Sequence, residues 1–413
     1  MGSHRILRFV RHLREFGWEP AVLTGATPGW RLTDQRLVAR LPKDLTVCRV
    51  GGIDLTEVWK KFSPGQHSAR DLPATAPPGQ ASARLKTQGL TTWLNRWVMI
   101  PDKYFPWIRP ATASGEQLLG REKFDAIYST SDPLSDHLVG LRLARKSGVP
   151  WVAEFRDLWM GTPYFARGQP TPLHRRVHAR MERRVVENAT ALVALSTGIR
   201  RYFETAYRTA KAQVIYNCYE PEDYPPPAPM ASKFTVLYAG ALYSSRSPET
   251  FLDGFARFVR SEKLTPGDAE FACYGGSPDL DLDGMVARLG LSQYVRFAGF
   301  VQHGEVLRQM QTASVLLTIQ SPADDVHVPG KLFEYIGACR PILAVSQPCE
   351  VTELVNKNNL GWVAEPNAES VAATLAMAYR AWRAGTAATA PAERFAVGEQ
   401  TRQLAELLHR VSR

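Results

Sequence analysis

The stretch Val328–Ser346, VPGKLFEYIGACRPILAVS, decides how this chain is built. It begins with a Pro-Gly turn, continues as a short helix and ends in an apolar run that is typical of a buried strand. The helix carries Lys331 in its first turn and Glu334 one turn later, although most of its other side chains are apolar. A lysine at this end of a helix works against the macrodipole, so the two charges indicate either an anion site or an ordinary surface pair.

The same alternation of helix and strand extends over most of the sequence. Apolar runs predict strands at 124–131, 150–157, 190–196, 234–240, 269–276, 294–301, 314–320 and 340–346, with helical segments between them. Strands separated by helices at this spacing predict parallel βαβ units. A proline-rich interruption at 217–233 divides the pattern, so we expect two Rossmann-like domains, 1–222 and 223–395, and a helix at 396–413 that packs back on the first.

The amino-terminal domain differs from this pattern at its beginning. Ile6, Phe9, Val10 and Leu13 recur at helical spacing and Gly17 ends the helix, so the sequence begins on a helix. A doubly wound domain normally begins with a strand and a glycine-rich turn. We therefore expect either a start upstream of Met1 or a missing first strand.

The composition limits the class of protein. The 413 residues are 45% hydrophobic, which excludes global disorder. The five cysteines are scattered, so neither a disulfide framework nor a zinc site is expected, and a reducing, cytoplasmic compartment is. The net charge of +10 favours anionic partners such as nucleotides or an anionic membrane face. No nucleic-acid-binding motif is visible, and we expect no nucleic acid as a partner.

The first helix and the segment 93–109 are both basic and rich in apolar or aromatic side chains. Arg8, Arg11, His12 and Arg14 follow the first helix, beside its broad apolar face. Two interpretations stay open: peripheral docking on the inner face of an anionic membrane, or a core helix with solvated arginines.

Charged residues follow two strands of the second domain. Arg246 comes after VLYAG, just before a helix that we expect to begin with Ser247 as N-cap and Pro248 as its first residue. Lys331 lies at a second helix start. Because ligands of open α/β sheets bind at the carboxyl ends of the strands, both cations are candidates to bind a phosphate.

Several segments, in order, resemble the retaining GT-B glycosyltransferases of family four. They are STSDPLSDHLVGLRLARKSGVPWVAEFRDLW, VLYAGALYSSRSPETFLDGF, VRFAGFVQHGEVLRQM and VPGKLFEYIGACRPILA. The resemblance covers nearly the whole chain. It implies a GT-B fold, a nucleoside-diphosphate-sugar co-substrate with no other cofactor and no metal, and a glycan or lipid-linked acceptor. The implied role is sugar transfer with retention in bacterial surface polysaccharide biosynthesis.

The resemblance also assigns residues. It implies that Arg246 and Lys331 bind the donor diphosphate, that Glu334 contacts the ribose, and that Asp157, with Arg156 beside it, lies near the reacting centre. Arg246, Lys331 and Asp157 are thus the catalytic candidates. The full set of candidate donor-binding residues is Gly240, Arg246, Gly330, Lys331, Leu332 and Glu334.

Two positions depart from the family pattern. Val326 stands where the family has the first glutamate of its Glu-x7-Glu motif, so Asp324, Asp325 and His327 become candidates to contact the donor sugar. Asn217 is followed by Cys218 where the family usually has a glycine. Two alternatives therefore stay open, a nucleotide-sugar epimerase of the same fold and a non-catalytic nucleotide-sugar-binding scaffold.

The acidic run Asp279–Asp283, DLDLD, has two interpretations. It has the composition of a metal-binding motif, but it also precedes a helix, and Asp283 is placed to cap it. We expect an exposed acidic loop.

Overall fold

A computed structural model describes most of the chain. The described residues are 2–26, 38–51, 99–161, 171–209, 211–226, 231–277, 279–321, 326–387, 389 and 391–413. Within them the strands form three sheets, all of whose pairs are parallel. This confirms the predicted α/β class with two Rossmann-like domains. Among the described helices, none combines the length and the apolar character needed to cross a bilayer.

The amino-terminal half contains two of the sheets. One pairs β1 with β2, and the other has the order β3-β4-β5-β6. The elements are α1 Gly2–His12, β1 Ala21–Ala26, β2 Thr46–Gly51, α2 Ile108–Arg121, β3 Ile127–Ser131, α3 Ser135–Ser147, β4 Trp151–Phe155, α4 Pro172–Asn188, β5 Ala191–Ala194, α5 Thr197–Tyr207 and β6 Ala212–Val214. A 3₁₀ turn, Leu13–Phe16, extends α1 as far as Gly17, which has a φ of +80° and ends the helix as predicted.

The carboxyl-terminal half contains one continuous sheet, in the order β12-β11-β10-β7-β8-β9. Its strands are β7 Phe234–Ala239, β8 Ala269–Tyr274, β9 Val295–Gly299, β10 Val315–Ile319, β11 Ile342–Val345 and β12 Gly361–Ala364. Its helices are α6 Glu249–Ser261, α7 Leu282–Arg288, α8 His303–Thr312, α9 Gly330–Gly337, α10 Glu350–Lys357 and α11 Ala368–Arg383. The last helix of the chain is α12, Val397–Val411.

Both faces of the carboxyl-terminal sheet are covered, which explains its apolar strands. Along β10, Leu317 packs in a cluster that includes Phe251 and Phe255 of α6. Leu316, which points to the opposite face, packs in a cluster that includes Phe333 of α9. Each such side chain contributes about 1.5–3 kcal/mol when it is fully buried, so packing on both faces stabilises this sheet.

The last helix packs on the amino-terminal half. Leu404 and Leu408 of α12 form one core cluster with Phe9 of α1 and Leu13 of the adjoining turn. Val152 of β4 belongs to the same cluster. The chain therefore returns, after the carboxyl-terminal sheet, to cover the helix with which the described part begins.

The basic side chains of this amino-terminal segment have carboxylate partners. Arg8 pairs with Asp223, Arg11 with Glu220 and Glu222, His12 with Glu15 and Glu220, and Arg14 with Glu19 and Asp44. Since Phe9 and Val10 are also buried, α1 fits the interpretation as a core helix and not as a membrane-docking one. Residues 93–98 of the second basic segment lie outside the described residues.

Candidate active site

Lys331 is a buried cation in the first turn of α9. The residue is 8% exposed, and its Nζ lies 3.6 Å from the centroid of the Tyr238 ring. Among the described residues, no carboxylate lies within ion-pair distance of this ammonium. Burial and the charge of Arg246 lower the pKa of Lys331 well below its usual range. Because α9 also begins without a side-chain cap, its first amides add to the positive potential around Lys331.

The end of β7 brings the backbone and a second cation close to Lys331. Gly240 has a φ of +123°, which favours glycine, and a Cβ there would lie 3.8 Å from Nζ of Lys331. The 3₁₀ turn Ser244–Arg246 follows and places Arg246 close enough for its charge to act on Lys331. The structure thus brings together three of the predicted residues.

The helix after Arg246 begins one residue later than predicted. Pro248 is the N-cap of α6, not its first residue, and Ser247 Oγ accepts a hydrogen bond from Glu249 N at 3.2 Å. Pro248 provides no side-chain cap, so the prediction of Ser247 as N-cap is wrong by one residue, although its hydroxyl satisfies the first amide of the helix.

The acidic loop 279–283 supports this turn. Asp279 Oδ2 accepts hydrogen bonds from Ser244 N at 3.1 Å and from Ser244 Oγ at 2.8 Å. Asp281, and not Asp283 as predicted, is the N-cap of α7 and accepts from Gly284 N at 2.9 Å. Within the described ranges, no group of three His, Cys, Asp or Glu side chains is arranged to hold a metal ion.

Glu334 is held by residues from other elements. Its Oε1 lies 3.0 Å from Nε2 of His303, the first residue of α8, and its carbonyl accepts a hydrogen bond from Tyr224 at 2.6 Å. The hydrogen bond and charge of Glu334 raise the pKa of His303, although burial opposes the shift. The ring of His4 lies 5.0 Å from that of His303, and burial and this neighbour lower the pKa of His4 to about 4.

The two remaining donor candidates have different positions. Gly330 is the first residue of α9 and is adjacent to Lys331. Leu332 is fully buried in the core, and its amide donates to the Pro329 carbonyl at 3.0 Å. The helix turns the Leu332 side chain into the core, and its contact with a donor stays a prediction.

Val326 packs against the amino-terminal half. Its carbonyl accepts a hydrogen bond from Ser196 Oγ, the N-cap of α5, at 2.6 Å. A Cβ on Gly198 would lie 2.8 Å from Val326 Cα, so only glycine permits this approach. The position of the missing glutamate is thus a contact across the cleft. Asp324 and Asp325 lie outside the described residues.

His327 contacts Asp157, the catalytic candidate of the amino-terminal domain. Its Nε2 lies 3.3 Å from Oδ1 of Asp157, which follows β4 in the opposite domain. The guanidinium of Arg156 donates to the carbonyls of Ser131 and Asp132 at the end of β3, so this arginine fixes the backbone. Asp157 therefore lies on the amino-terminal side of the cleft, facing the segment that leads into α9.

Three acidic residues near the end of β3, Asp102, Asp132 and Asp136, were not predicted. Burial raises the pKa of Asp132, and burial with the charge of Asp102 raises that of Asp136 to about 8. Asp102 accepts hydrogen bonds from the amide and the hydroxyl of Ser135. Asp132 follows β3 directly and Asp136 lies in the first turn of α3, so the strand-end rule that selected Arg246 also applies to this segment.

A second contact between the halves lies at the start of α5. Oε1 and Oε2 of Glu350, the first residue of α10, accept hydrogen bonds from Thr197 N at 2.8 Å and Gly198 N at 3.2 Å. Tyr216 donates to Glu350 Oε1 at 2.7 Å. Just beyond it, Asn217 precedes Cys218, which is buried. The cleft is therefore bounded by direct bonds between the two domains.

Two protein-family models match this chain. Residues 2–218 match the model of the glycosyl transferase 4-like domain, and residues 233–380 match that of the glycosyl transferases group 1. The chain therefore belongs to the glycosyltransferases of this 4-like and group 1 type. A search of curated proteins finds no match.

Solved structures similar to this glycosyltransferase share its GT-B fold. A glycosyltransferase from Rickettsia africae is 12% identical with a TM-score of 0.61, over 99% of this chain and 94% of its own. The lipopolysaccharide outer core galactosyltransferase WaaB is 14% identical with a TM-score of 0.56, over 98% and 95%. HepE of Anabaena, solved in complex with UDP, is 17% identical with a TM-score of 0.50, over 75% and 81%.

Proposed function

We propose that this glycosyltransferase moves a hexose or related sugar from a nucleoside-diphosphate donor to a glycan or lipid-linked acceptor with retention. The observation that carries the proposal is the buried ammonium of Lys331, which has no carboxylate partner among the described residues and lies beside Arg246. Removing a charge from water is costly unless an opposite charge compensates it. A diphosphate supplies that charge.

The remaining donor contacts follow from this placement. The amides of α9 and the guanidinium of Arg246 add donors for phosphate oxygens. Glu334, buried one turn behind Lys331 and oriented by His303, is our candidate to accept hydrogen bonds from the ribose hydroxyls. The UDP complex of HepE, which shares the fold, supports a nucleotide in this type of cleft.

The proposed transfer needs charge stabilisation at the leaving group. The bond between the anomeric carbon and the diphosphate breaks, and the sugar passes through an oxocarbenium-like state. Lys331, Arg246 and the helix amides stabilise the negative charge that develops on the diphosphate, so we propose a metal-independent mechanism. The acceptor oxygen then bonds to the same face of the anomeric carbon, and its proton passes to the departing phosphate. Asp157, with His327, would line the acceptor side of this centre.

We propose a growing bacterial surface polysaccharide, in the cytoplasm, as the acceptor. The likeness to WaaB, a lipopolysaccharide outer core galactosyltransferase, supports this class. Peripheral contact with an anionic membrane is part of the proposal, and α4 is better suited to it than α1. It exposes Arg176, Arg180, Arg183 and Arg184 along one helix. Sedimentation with anionic vesicles, compared with neutral ones, tests this contact.

A screen of UDP, GDP, ADP and dTDP sugars tests the donor site. We expect one donor to raise the melting temperature of the wild type and to be hydrolysed slowly, and Lys331→Ala and Glu334→Ala to lose both effects while staying folded. The matched control is Lys357→Ala, which removes an exposed lysine paired with Glu353 on α10. If no nucleotide sugar binds, or the variants match the wild type, the proposal fails.

The same assay separates the alternatives. An epimerase would convert the donor to its epimer without an acceptor, and a scaffold would bind the donor without turnover. With an acceptor present, the anomeric coupling constant in the product's NMR spectrum decides between retention and inversion.

A further inference from the structure

The start of α5 is a place where the carboxyl-terminal domain bonds directly to the amino-terminal one. Ser196 is the N-cap of this helix, and its Oγ accepts a hydrogen bond from Ile199 N at 3.0 Å. The two preceding amides, of Thr197 and Gly198, donate instead to the carboxylate of Glu350 at 2.8 and 3.2 Å. The helix therefore satisfies one of its first amides by itself and two of them through the other domain.

A carboxylate is well suited to this position. The amino end of a helix carries partial positive charge, and hydrogen bonds from amides to an ionised carboxylate are roughly twice as strong as neutral ones. Tyr216 adds a third bond to Glu350, and burial with this hydrogen bond raises the pKa of the phenol, which therefore keeps its proton. Glu350 thus accepts from three donors of the amino-terminal domain.

Val326, in the segment between β10 and α9, lies against the same end of α5. Ser196 Oγ donates to its carbonyl at 2.6 Å, and its side chain packs on the amino-terminal cluster that includes Ile199. A Cβ on Gly198 would lie 2.8 Å from Val326 Cα and 3.0 Å from its carbonyl oxygen, which are both backbone atoms. A larger residue at position 198 would therefore push this segment away.

Both contacts are adjacent to the helix that carries the donor candidates. The segment of Val326 enters α9 at Gly330, directly before Lys331. Tyr216 lies against the same helix, with its ring 5.9 Å from that of Phe333. Release of the α5 end would therefore also free the segment that leads to Lys331.

Bonds of this kind can be broken and remade. The domains of one chain are expected to move relative to each other unless their interface is large and hydrophobic. When the cleft opens, water can replace the amide donors of Glu350. The contact at α5 is therefore strong enough to favour one arrangement of the domains and still reversible.

We propose that Glu350, Val326 and the amino end of α5 form a latch, which holds the cleft closed and is released when the donor is exchanged. Its role in donor exchange rests on the proposed function, whereas the latch itself does not depend on which donor is bound.

Gly198→Ala is the first test, because it removes no hydrogen-bonding group. Alanine favours a helix more than glycine does, so the variant should fold, but its methyl group would collide with the Val326 backbone. We expect the cleft to open and the unchanged Glu350 to leave α5. In the 413-residue chain without nucleotide, amide exchange at 197 and 198 should become at least about tenfold faster, and the radius of gyration from small-angle X-ray scattering should rise.

Glu350→Gln should also raise the radius of gyration, since a neutral amide binds the helix end more weakly. Scattering is the informative measurement for this variant, because loss of the carboxylate speeds exchange at 197 and 198 even in a closed cleft. The matched control is Glu353→Gln on the same helix, which removes an exposed partner of Lys357 and should match the wild type. Because both test variants open one latch, the double variant should not exceed the larger single effect.

Unchanged scattering in both variants would overturn the proposal and make Glu350 a helix cap only. Exchange at 197 and 198 of the wild type that is as fast as in an unstructured peptide would also overturn it, since the latch would not form in solution.

Affinity for the nucleoside diphosphate that the donor screen selects should fall at least about threefold in both variants, because less of the protein is closed. An affinity equal to that of the wild type would overturn the role of the latch in donor exchange. If the screen selects no nucleotide, the proposed function fails, whereas scattering and exchange still decide whether the latch exists.

Discussion

Two buried cations in this molecule have opposite surroundings. Arg5 of α1 is 2% exposed and donates to the Glu154 carboxylate and to the carbonyls of Ile215 and Tyr216. Lys331 of α9 is nearly as buried but faces an aromatic ring and a second cation. The first arrangement is complete within the protein, whereas the second has no carboxylate among the described residues, and in our proposal the donor diphosphate completes it. Burial alone therefore does not distinguish a functional charge from a structural one, and the presence of a counter-charge does.

The largest effect is expected where the structural pair is broken. Glu154→Gln leaves the Arg5 guanidinium buried without its carboxylate, and removing one partner of a buried pair costs about 3–5 kcal/mol. We expect the free energy of unfolding to fall by this amount in urea titrations near pH 7. Glu19→Gln, which removes an exposed partner of Arg14, is the matched control and should leave stability almost unchanged.

The loss should depend on pH. Burial opposes ionisation of Glu154, but the charge and hydrogen bonds of Arg5 outweigh it and lower the pKa of this carboxyl. The pair therefore contributes fully above the unfolded-state pKa of about 4.3, and its contribution is lost as pH falls through the lower folded-state pKa. A difference between wild type and Glu154→Gln that stays constant below pH 4 would contradict the assignment.

Substitution of Lys331 should have the opposite effect, a loss of activity without a loss of stability. Lys331→Met removes a charge that stabilises the leaving group, and kcat/KM should fall about 10²–10³-fold, or about 2.7–4 kcal/mol. The unliganded protein should be at least as stable as the wild type, because a buried charge without a partner is removed. Lys357→Met is the control for both measurements. A Lys331→Met protein as destabilised as Glu154→Gln would make both cations structural.

The pH dependence of stability sharpens this contrast. The folded-state pKa of Lys331 is lowered, so the unfolded chain binds the proton more tightly. Stability of the unliganded wild type should therefore rise with pH between that lowered pKa and about 10.4, the value of an unperturbed lysine. Lys331→Met should lack this rise.

Strands with a long apolar run could be predicted from the sequence, including β9, which is partly exposed, whereas strands without such a run were missed. The β10 segment is a continuous apolar run because both of its faces are covered. By contrast, β2 is partly exposed and pairs with β1 alone in the described residues, and β12 is an edge strand of four residues. Neither has the long apolar run that signals a strand, and both were missed. Strand β6 and the helices α2, α5, α10 and α11 were likewise not assigned.

The residues of the candidate site also include some that the sequence could predict and some that it could not. Lys331 could be predicted because its charge conflicts with the local helix dipole. His303 could not be assigned to Glu334, nor Asp102 to Ser135, because these partners are 31 and 33 residues apart and meet only through the tertiary fold. A residue that conflicts with local helix electrostatics can be recognised in the sequence, whereas its partners from distant segments are seen only in the structure.

A smaller effect is expected at the acidic loop. Asp281→Ala removes the N-cap of α7 and should cost about 1 kcal/mol, whereas Asp283→Ala, within the same helix, should cost less. Urea titration of both variants measures the difference. If either variant instead lost activity that Mn²⁺ or Mg²⁺ restored, the loop would be a metal site after all.

The smallest effect is expected at His303. Like Arg5 it is paired with a carboxylate, that of Glu334, but unlike Arg5 it is partly exposed. The pair raises the pKa of His303, so its stabilisation is fully present below the unfolded-state value of about 6.5 and is lost as pH rises through the folded-state value. His303→Gln should therefore cost less than about 1 kcal/mol at pH 6 and almost nothing at pH 9. In a Glu334→Gln background the pH dependence should vanish, since the carboxylate that causes it is gone. A cost that is equal at both pH values would mean that His303 acts by packing alone and does not orient Glu334 through its charge.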